Sequence, residues 1–469
     1  MAGIFLTFIT TIWWIVLFIS LFVNVPGLYT RGSGFTELAY AFLTVFALVN
    51  SIMFFATPLP PGVRRLSLAL SVFLFVNAVI ILISAPLRHH EGWVGIATVL
   101  WAGVVGGIWT VIADRVVEWG KAEEEERLIG RVEDRYTGME WLKVILATIG
   151  LIIVIVLEVL ITLTLILRMR DASLPPEGRR YWVQSHQFRV HIACFGNAST
   201  TTPLVFLEGG ERSVEYFSSW VAEAQEDGII GQYCYWDRPG YRPFNSASNV
   251  RYAFSDNAPS PMSAGAAIDY LQAALPKANI TEKTSPGWVL VSHGTGGLYS
   301  RVFAARHTTQ LKGILLVDTI PESLISKVFT PGRTFVLLLR GIISPLGIDR
   351  LSGWIFKHRT REDRVWGVSS WRSDRVIKSQ FQESLVARSI TQNEVIAAQA
   401  VIPRDVPLAV VSSGKNCKNK EWEEGQRELS KNSKKSTWDV VGKAEHEVWK
   451  DEEGKKLLKR RLRDLMTGG

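Results

Sequence analysis

Residues 288 to 301 read Trp288-Val289-Leu290-Val291-Ser292-His293-Gly294-Thr295-Gly296-Gly297-Leu298-Tyr299-Ser300-Arg301. A short apolar run bounded by glycines reads as a buried strand, the glycine cluster as a tight turn, and the residues after it as the start of a helix. Such a strand-to-helix turn can hold one residue in a strained conformation at the top of a sheet, its side chain exposed for attack on a carbonyl. Counting back from Gly296-Gly297-Leu298-Tyr299, that position falls on Gly294. Glycine has no oxygen with which to attack. The stretch offers the frame of a nucleophilic site without the nucleophile.

Outward from this stretch, short apolar runs alternate with helical patterns from about residue 181, which predicts an α/β domain with a largely parallel sheet. Strands are expected over Phe188 to Cys194, Pro203 to Leu207, Gln232 to Trp236, Trp288 to Ser292, Gly313 to Val317 and Pro407 to Val411. Helices are expected over Ser263 to Leu275, Gly297 to Ala305 and Glu452 to Leu465. In such sheets ligands bind beyond the carboxyl ends of the strands. The motifs that stand there are Val205-Phe206-Leu207-Glu208-Gly209-Gly210, Asp237-Arg238-Pro239-Gly240-Tyr241, Ser292-His293-Gly294-Thr295-Gly296-Gly297 and Leu315-Leu316-Val317-Asp318, with Gly442-Lys443-Ala444-Glu445-His446-Glu447 late in the chain.

In their order and spacing these motifs resemble the α/β-hydrolase superfamily, in particular its lipase- and esterase-like branch with an Asp-Arg-Pro-Gly-Tyr turn. The likeness covers about residues 181 to 466. It implies His446 as general base, Asp318 as the acid that orients it, and the backbone N–H groups of Gly209 and Thr295 as an oxyanion hole. The chain order 294, 318, 446 is the order nucleophile, acid, base of that fold. The alternative acid position, after the strand Pro407 to Val411, holds Ser412-Ser413-Gly414-Lys415, which favours Asp318. The departure is Gly294, a degenerate nucleophile position. Ser292 is the weak substitute, two residues early, and Thr295 is one residue late. No metal and no cofactor is expected.

Residues 322 to 402 interrupt the sheet in the place of a helical lid. Between Arg333 and Lys378 stand ten Lys or Arg and four acids, interleaved with Trp354, Phe356, Trp366 and Trp371. That mixture suits an anionic membrane surface as well as it suits an ordinary amphipathic lid packed on its own domain. The three cysteines, Cys194, Cys234 and Cys417, give neither a disulfide framework nor a zinc site, and Cys194 and Cys234 read as buried thiols. The net charge of +8 comes without any element that reads nucleic acid, so no nucleic-acid partner is expected.

The first 168 residues are of another kind. Ile4 to Val25, Leu38 to Ala56, Leu66 to Ala85, Val94 to Ala113 and Leu142 to Leu167 each reach bilayer-spanning length. The first is too long, with too little positive charge before it, for a cleaved signal peptide. Trp93 and Trp141 suit the interfacial belt, Pro58-Leu59-Pro60-Pro61-Gly62 reads as a hairpin turn, and Glu123 to Glu126 as a solvated stretch. Asn77 and Glu158 are polar residues inside spans, most simply bonded to each other. The expected organisation is a transmembrane bundle of about five spans over residues 1–168, a linker at 169–180 and a hydrolase-like domain at 181–469.

Five spans place the two ends on opposite sides of a membrane. Seven basic residues flank one side and six the other, a weak bias. The sequons Asn197-Ala198-Ser199 and Asn279-Ile280-Thr281 suit a lumenal or extracellular C-terminal domain. Two functions stand on these observations. One is a membrane-anchored, catalytically degenerate hydrolase-like protein that binds or scaffolds. The other is an active ester or lipid hydrolase using another nucleophile or a His446-activated water. In both, the bilayer is a partner and a lipid or ester is the ligand class.

Overall fold

The computed structural model describes all residues except 1, 29, 55–59, 110, 113–114, 117–118, 121–136, 173–176, 184–187, 198–201, 213, 242–256, 259, 282–285, 366, 368–371 and 469. Residues 58 and 59 of the expected hairpin turn, Glu123 to Glu126, Ala198-Ser199 of one sequon, Trp366 and Trp371 therefore lie outside the described residues. The chain divides into two units: Met1–Ser173 with Gly341–His358, and Leu174–Arg340 with Arg359–Gly469.

Five helices of the first unit are long and apolar enough to cross a membrane: α1 (Ala2–Ile19), α2 (Phe35–Met53), α3 (Pro61–Ile83), α4 (Ala85–Trp101, running on as a π-helix over Ala102–Trp109) and α5 (Gly138–Asp171). α1 ends at Ile19, six residues before the expected Val25. Their exposed surface carries large apolar residues such as Phe8, Phe75, Ile149 and Ile153, as lipid-facing helices require. Inside the bundle, glycines let backbones approach: a Cβ on Gly103 would stand 2.9 Å from that of Ala78, and one on Gly107 3.1 Å from the Ser71 carbonyl oxygen. Two pairs of polar groups meet in the interior. Asn77 Nδ2 donates to Glu158 Oε1 at 2.8 Å, and Arg168, buried within α5, lies 3.6 Å from Glu91. Gly341–His358 belongs to this unit, where Thr164 donates to the Leu346 carbonyl and Arg350 pairs with Asp171.

The second unit is built on an eight-stranded sheet in the order β1-β2-β4-β3-β5-β6-β7-β8. Its strands are β1 (Arg179–Val183), β2 (Phe188–Gly196), β3 (Leu204–Glu208), β4 (Gln232–Asp237), β5 (Trp288–His293), β6 (Leu311–Val317), β7 (Leu408–Ser413) and β8 (Ser436–Val441). β1–β2 and β2–β4 pair antiparallel, and every other neighbour pairs parallel. β5 is buried along its whole length at the centre, which explains why it reads as a continuous apolar run rather than an alternation. One face is covered by α6 (Val214–Glu226) and α14 (Glu452–Thr467), whose Trp220, Leu458 and Leu462 pack on Val289 and Val291. The other is covered by α7 (Ala264–Ala274), α8 (Gly296–Arg306) and α12 (Gln392–Val401), packed on Leu290 and Leu316. Among the helices between β6 and β7 are α9 (Pro331–Ile343), α10 (Ile348–Ile355) and α11 (Asp374–Val386), which precede α12; α13 (Lys420–Ser430) joins β7 to β8. This sheet order with helices on both faces is the α/β-hydrolase architecture.

The cysteines correct the expectation of buried thiols. Cys194 and Cys234 are joined as a disulfide, and Cys194 is exposed. They stand directly opposite each other in the antiparallel β2–β4 register, a juxtaposition that a spacing of 40 residues does not disclose.

Candidate functional site

The strand ends of the second unit converge on His446, which follows β8 in the loop before α14. Its Nδ1 lies 2.7 Å from Asp318 Oδ2. Asp318 follows β6 with φ +45°, a region that residues other than glycine rarely adopt. Four further bonds hold it there: its carboxylate accepts from Ser413 N at 3.1 Å, Ser413 Oγ at 2.9 Å, Asn416 Nδ2 at 2.7 Å and Trp422 Nε1 at 3.1 Å. Backbone strain persists where the surroundings over-determine it, commonly at functional sites. The carboxylate is fully buried and the His446 side chain about one-third exposed, at 34%.

On its other side, His446 Nε2 faces Glu211 Oε2 at 3.4 Å. Glu211 stands three residues past the end of β3, just after Gly209-Gly210. Gly294 lies in the turn between β5 and α8 at φ +54°. A Cβ there would meet Glu211 Oε2 at 2.9 Å and His446 Nε2 at 3.2 Å. The turn needs glycine again at Gly296, whose Cβ would come within 2.4 Å of the Gly209 carbonyl oxygen. Ser292 is brought elsewhere. It is fully buried, and its Oγ accepts from Ser300 Oγ at 2.9 Å. Thr295 Oγ1 accepts from Arg238 Nη2 at 3.2 Å.

Arg238, of the Asp237-Arg238-Pro239-Gly240-Tyr241 turn, fixes the loop that carries Glu211. Its guanidinium donates to the carbonyl oxygens of Gly209 and Gly210 and, through Nε at 3.0 Å, to Glu383 of α11. Asp237 is bonded instead to the buried His191 at 2.7 Å. His293, at the end of β5, places Nε2 3.1 Å from the His446 carbonyl oxygen. Its ring stacks on Phe217 and meets the edge of Trp449. Gly210, Glu211, His293, His446 and Trp449 line one cavity of about 370 Å³.

The charges follow from these contacts. Burial disfavours a cationic His446, but the bond to Asp318 and then the bond and charge of Glu211 outweigh it and raise the imidazole to about 10. Burial acts to raise Glu211, yet the bond and charge of His446 hold its carboxyl well below the usual range. For His293, burial reinforced by the His446 charge pushes the imidazole down to about 3, so this ring is neutral. His446 is thus a cation between two carboxylates.

Sequence reasoning did not find Glu211, the ring contacts of His293, or Asn416 and Trp422. Glu211 left one signal. A carboxylate directly after a loop expected to stabilise an oxyanion opposes that role, since like charges repel.

Sheet and site together define an α/β-hydrolase-like domain carried on a chain with N-terminal apolar helices. An uncharacterized protein of Schizosaccharomyces pombe is 34% identical over 99% of this chain and 90% of its own length, and this chain belongs to the same family. An uncharacterized vacuolar membrane protein of Saccharomyces cerevisiae is 23% identical over 95% of this chain and 83% of its own. Residues 1–194 match a family model described as a region of unknown function, DUF2417. The enol-lactonase from Burkholderia xenovorans superposes with a TM-score of 0.40 at 14% identity, over 61% of this chain and 99% of that one.

Proposed function

We propose that the C-terminal domain is a hydrolase scaffold that no longer performs covalent acyl transfer and serves as a binding or scaffolding module, anchored in a membrane by the N-terminal helices. One observation carries this reading. The space in front of Gly294, where the resemblance puts a nucleophile, is taken by the Glu211 carboxylate, which neutralises His446 in place of a hydroxyl for it to activate. Acyl transfer needs a hydroxyl or thiol within hydrogen-bond reach of the base. Among the described residues none bonds His446 Nε2, and the hydroxyls of Ser292 and Thr295 are engaged with Ser300 and Arg238.

The ligand class is a lipid or ester, with the parts of residues 322–402 that belong to the second unit in the place of a lid. In that unit, exposed Phe335 and Val336 support contact of the segment with a membrane surface, and the exposed Trp354 and Phe356 belong to the membrane unit. The budding-yeast relative, a vacuolar membrane protein, supports a vacuolar membrane as the location. The test is a serine-directed fluorophosphonate probe applied to the full-length protein. No labelling is expected. Stoichiometric labelling abolished by Ser292→Ala would establish the active-hydrolase reading instead.

A further inference from the structure

We propose that Glu211, His293 and His446 together bind one divalent transition-metal ion of the zinc type. The inference rests on the reading that no covalent nucleophile occupies this site, and it gives that binding site a ligand.

Two imidazoles and one carboxylate are a donor set suited to zinc, and three protein ligands with one open position is the pattern of an accessible rather than a purely structural site. One donor atom from each residue lies within 4.8 Å of the others. His446 Nε2 and Glu211 Oε2 are already 3.4 Å apart, close to the roughly 3.4 Å between ligands of a tetrahedral ion with bonds of about 2.1 Å. Closing the widest separation from at most 4.8 Å to that spacing requires no more than about 1.4 Å, taken up by torsions of the half-buried Glu211 side chain rather than by the confined His293 ring.

The lone pairs are set by partners outside the cluster. Asp318 accepts the Nδ1 proton of His446, so an ion binding at Nε2, the nitrogen that faces Glu211, displaces the second proton of the imidazolium to solvent. A carboxylate behind a histidine in this way fixes the tautomer and strengthens the ligand. His293 directs Nε2 at the His446 carbonyl oxygen, so that nitrogen carries the proton. Its lone pair is then on Nδ1, beside Gly210, where a Cβ would stand 2.7 Å away. Phe217, Trp449 and the His446 ring confine the imidazole from three directions. The shared cavity of about 370 Å³ gives an ion entry and leaves room for water or a ligand at its fourth position. Gly294 completes the arrangement, because a Cβ there would press on both Glu211 and His446.

The experiment uses untagged full-length protein in detergent, treated with chelator, freed of it and titrated with Co²⁺ and with Zn²⁺. Wild type is expected to take up one equivalent, with the intense visible absorption of four- or five-coordinate Co²⁺. Glu211→Gln, His293→Gln and His446→Gln are each expected to weaken binding at least 10-fold, and Asp318→Asn about 10- to 100-fold through the tautomer it fixes. Gly294→Ala, which alters no donor atom, is expected to weaken it as well. Metal content of the protein as isolated supplies a measurement independent of whether any variant folds. Absence of stoichiometric uptake, or uptake unchanged in all the ligand variants, overturns the metal site. The fluorophosphonate probe applied to the same preparation separates the two ideas. No labelling without cobalt uptake removes the metal and leaves the non-covalent reading standing, whereas labelling overturns both.

Discussion

Gly294 adopts φ +54°, a conformation that costs a residue other than glycine on the order of 1 to 3 kcal/mol, and it opens onto a carboxylate rather than onto empty space. The resemblance alone predicts that Gly294→Ser restores some esterase activity, with His446 as base. The structure adds an obstacle, since the new Cβ would begin 2.9 Å from Glu211 Oε2. Gly294→Ser is therefore expected to be inactive and less stable than wild type. Gly294→Ser with Glu211→Ala, which vacates the space and frees His446 Nε2, is expected to hydrolyse short acyl esters above the level of the same protein carrying His446→Ala. Hydrolysis of a chromogenic acetate checks this, and equal activity in the single and double variants would show that Glu211 does not obstruct the position. Asp318 and Glu211 together set a pH dependence. His446 is raised from an unfolded value of about 6.5 to about 10 when folded, so its stabilising contribution is complete below about pH 6.5 and is lost as pH rises towards 10. With chelator present, the melting-temperature difference between wild type and His446→Gln should shrink steadily across that window. A difference that grows with pH would show that the folded imidazole is depressed rather than raised.

At the scale of elements, what the sequence discloses depends on where each element sits in the sheet. The central strands β3 and β5 are buried on both faces and β6 along all but Lys312, so their apolar stretches stand out and their expected limits fall within two residues of the observed ones. The edge strands were not expected. β1 begins Arg179-Arg180, and β8 reads Ser436-Thr437-Trp438-Asp439 before its two valines, because an edge strand has one side for solvent. Asp318 and His446 were legible because each closes or follows a motif of fixed chain order. Glu211 was not, since 235 residues separate it from His446 and no local pattern joins them. The Asp237-Arg238-Pro239-Gly240-Tyr241 turn was legible as a motif but not in its work. Only the fold brings Glu383 to Arg238, and with it the clamp on the carbonyl oxygens of Gly209 and Gly210. The disulfide is hidden in the same way, since it exists only in the register of β2 on β4.

On the scale of the whole molecule the question is which side of the membrane holds the second unit, and charge counts around the helices barely bias the answer. Two features of that unit bear on it independently. The Cys194–Cys234 disulfide belongs to an oxidising compartment, since cytosolic thiols are kept reduced. Asn279 of the sequon Asn279-Ile280-Thr281 is exposed, at φ 60° on the turn after α7, where an oligosaccharide can project into solvent without displacing packed side chains. The second unit is therefore expected on the lumenal or extracellular side. In cells, the full-length protein should migrate faster on a gel after endoglycosidase treatment, and Asn279→Gln should remove one glycan's worth of that change. Protease added to sealed vesicles from the cytosolic side should leave the second unit whole. Unchanged mobility after the glycosidase, together with digestion from the cytosolic side, would put the domain in the cytosol. In that event the disulfide should also be absent, and Cys194 and Cys234 should both react with a thiol reagent once the protein is unfolded without reductant.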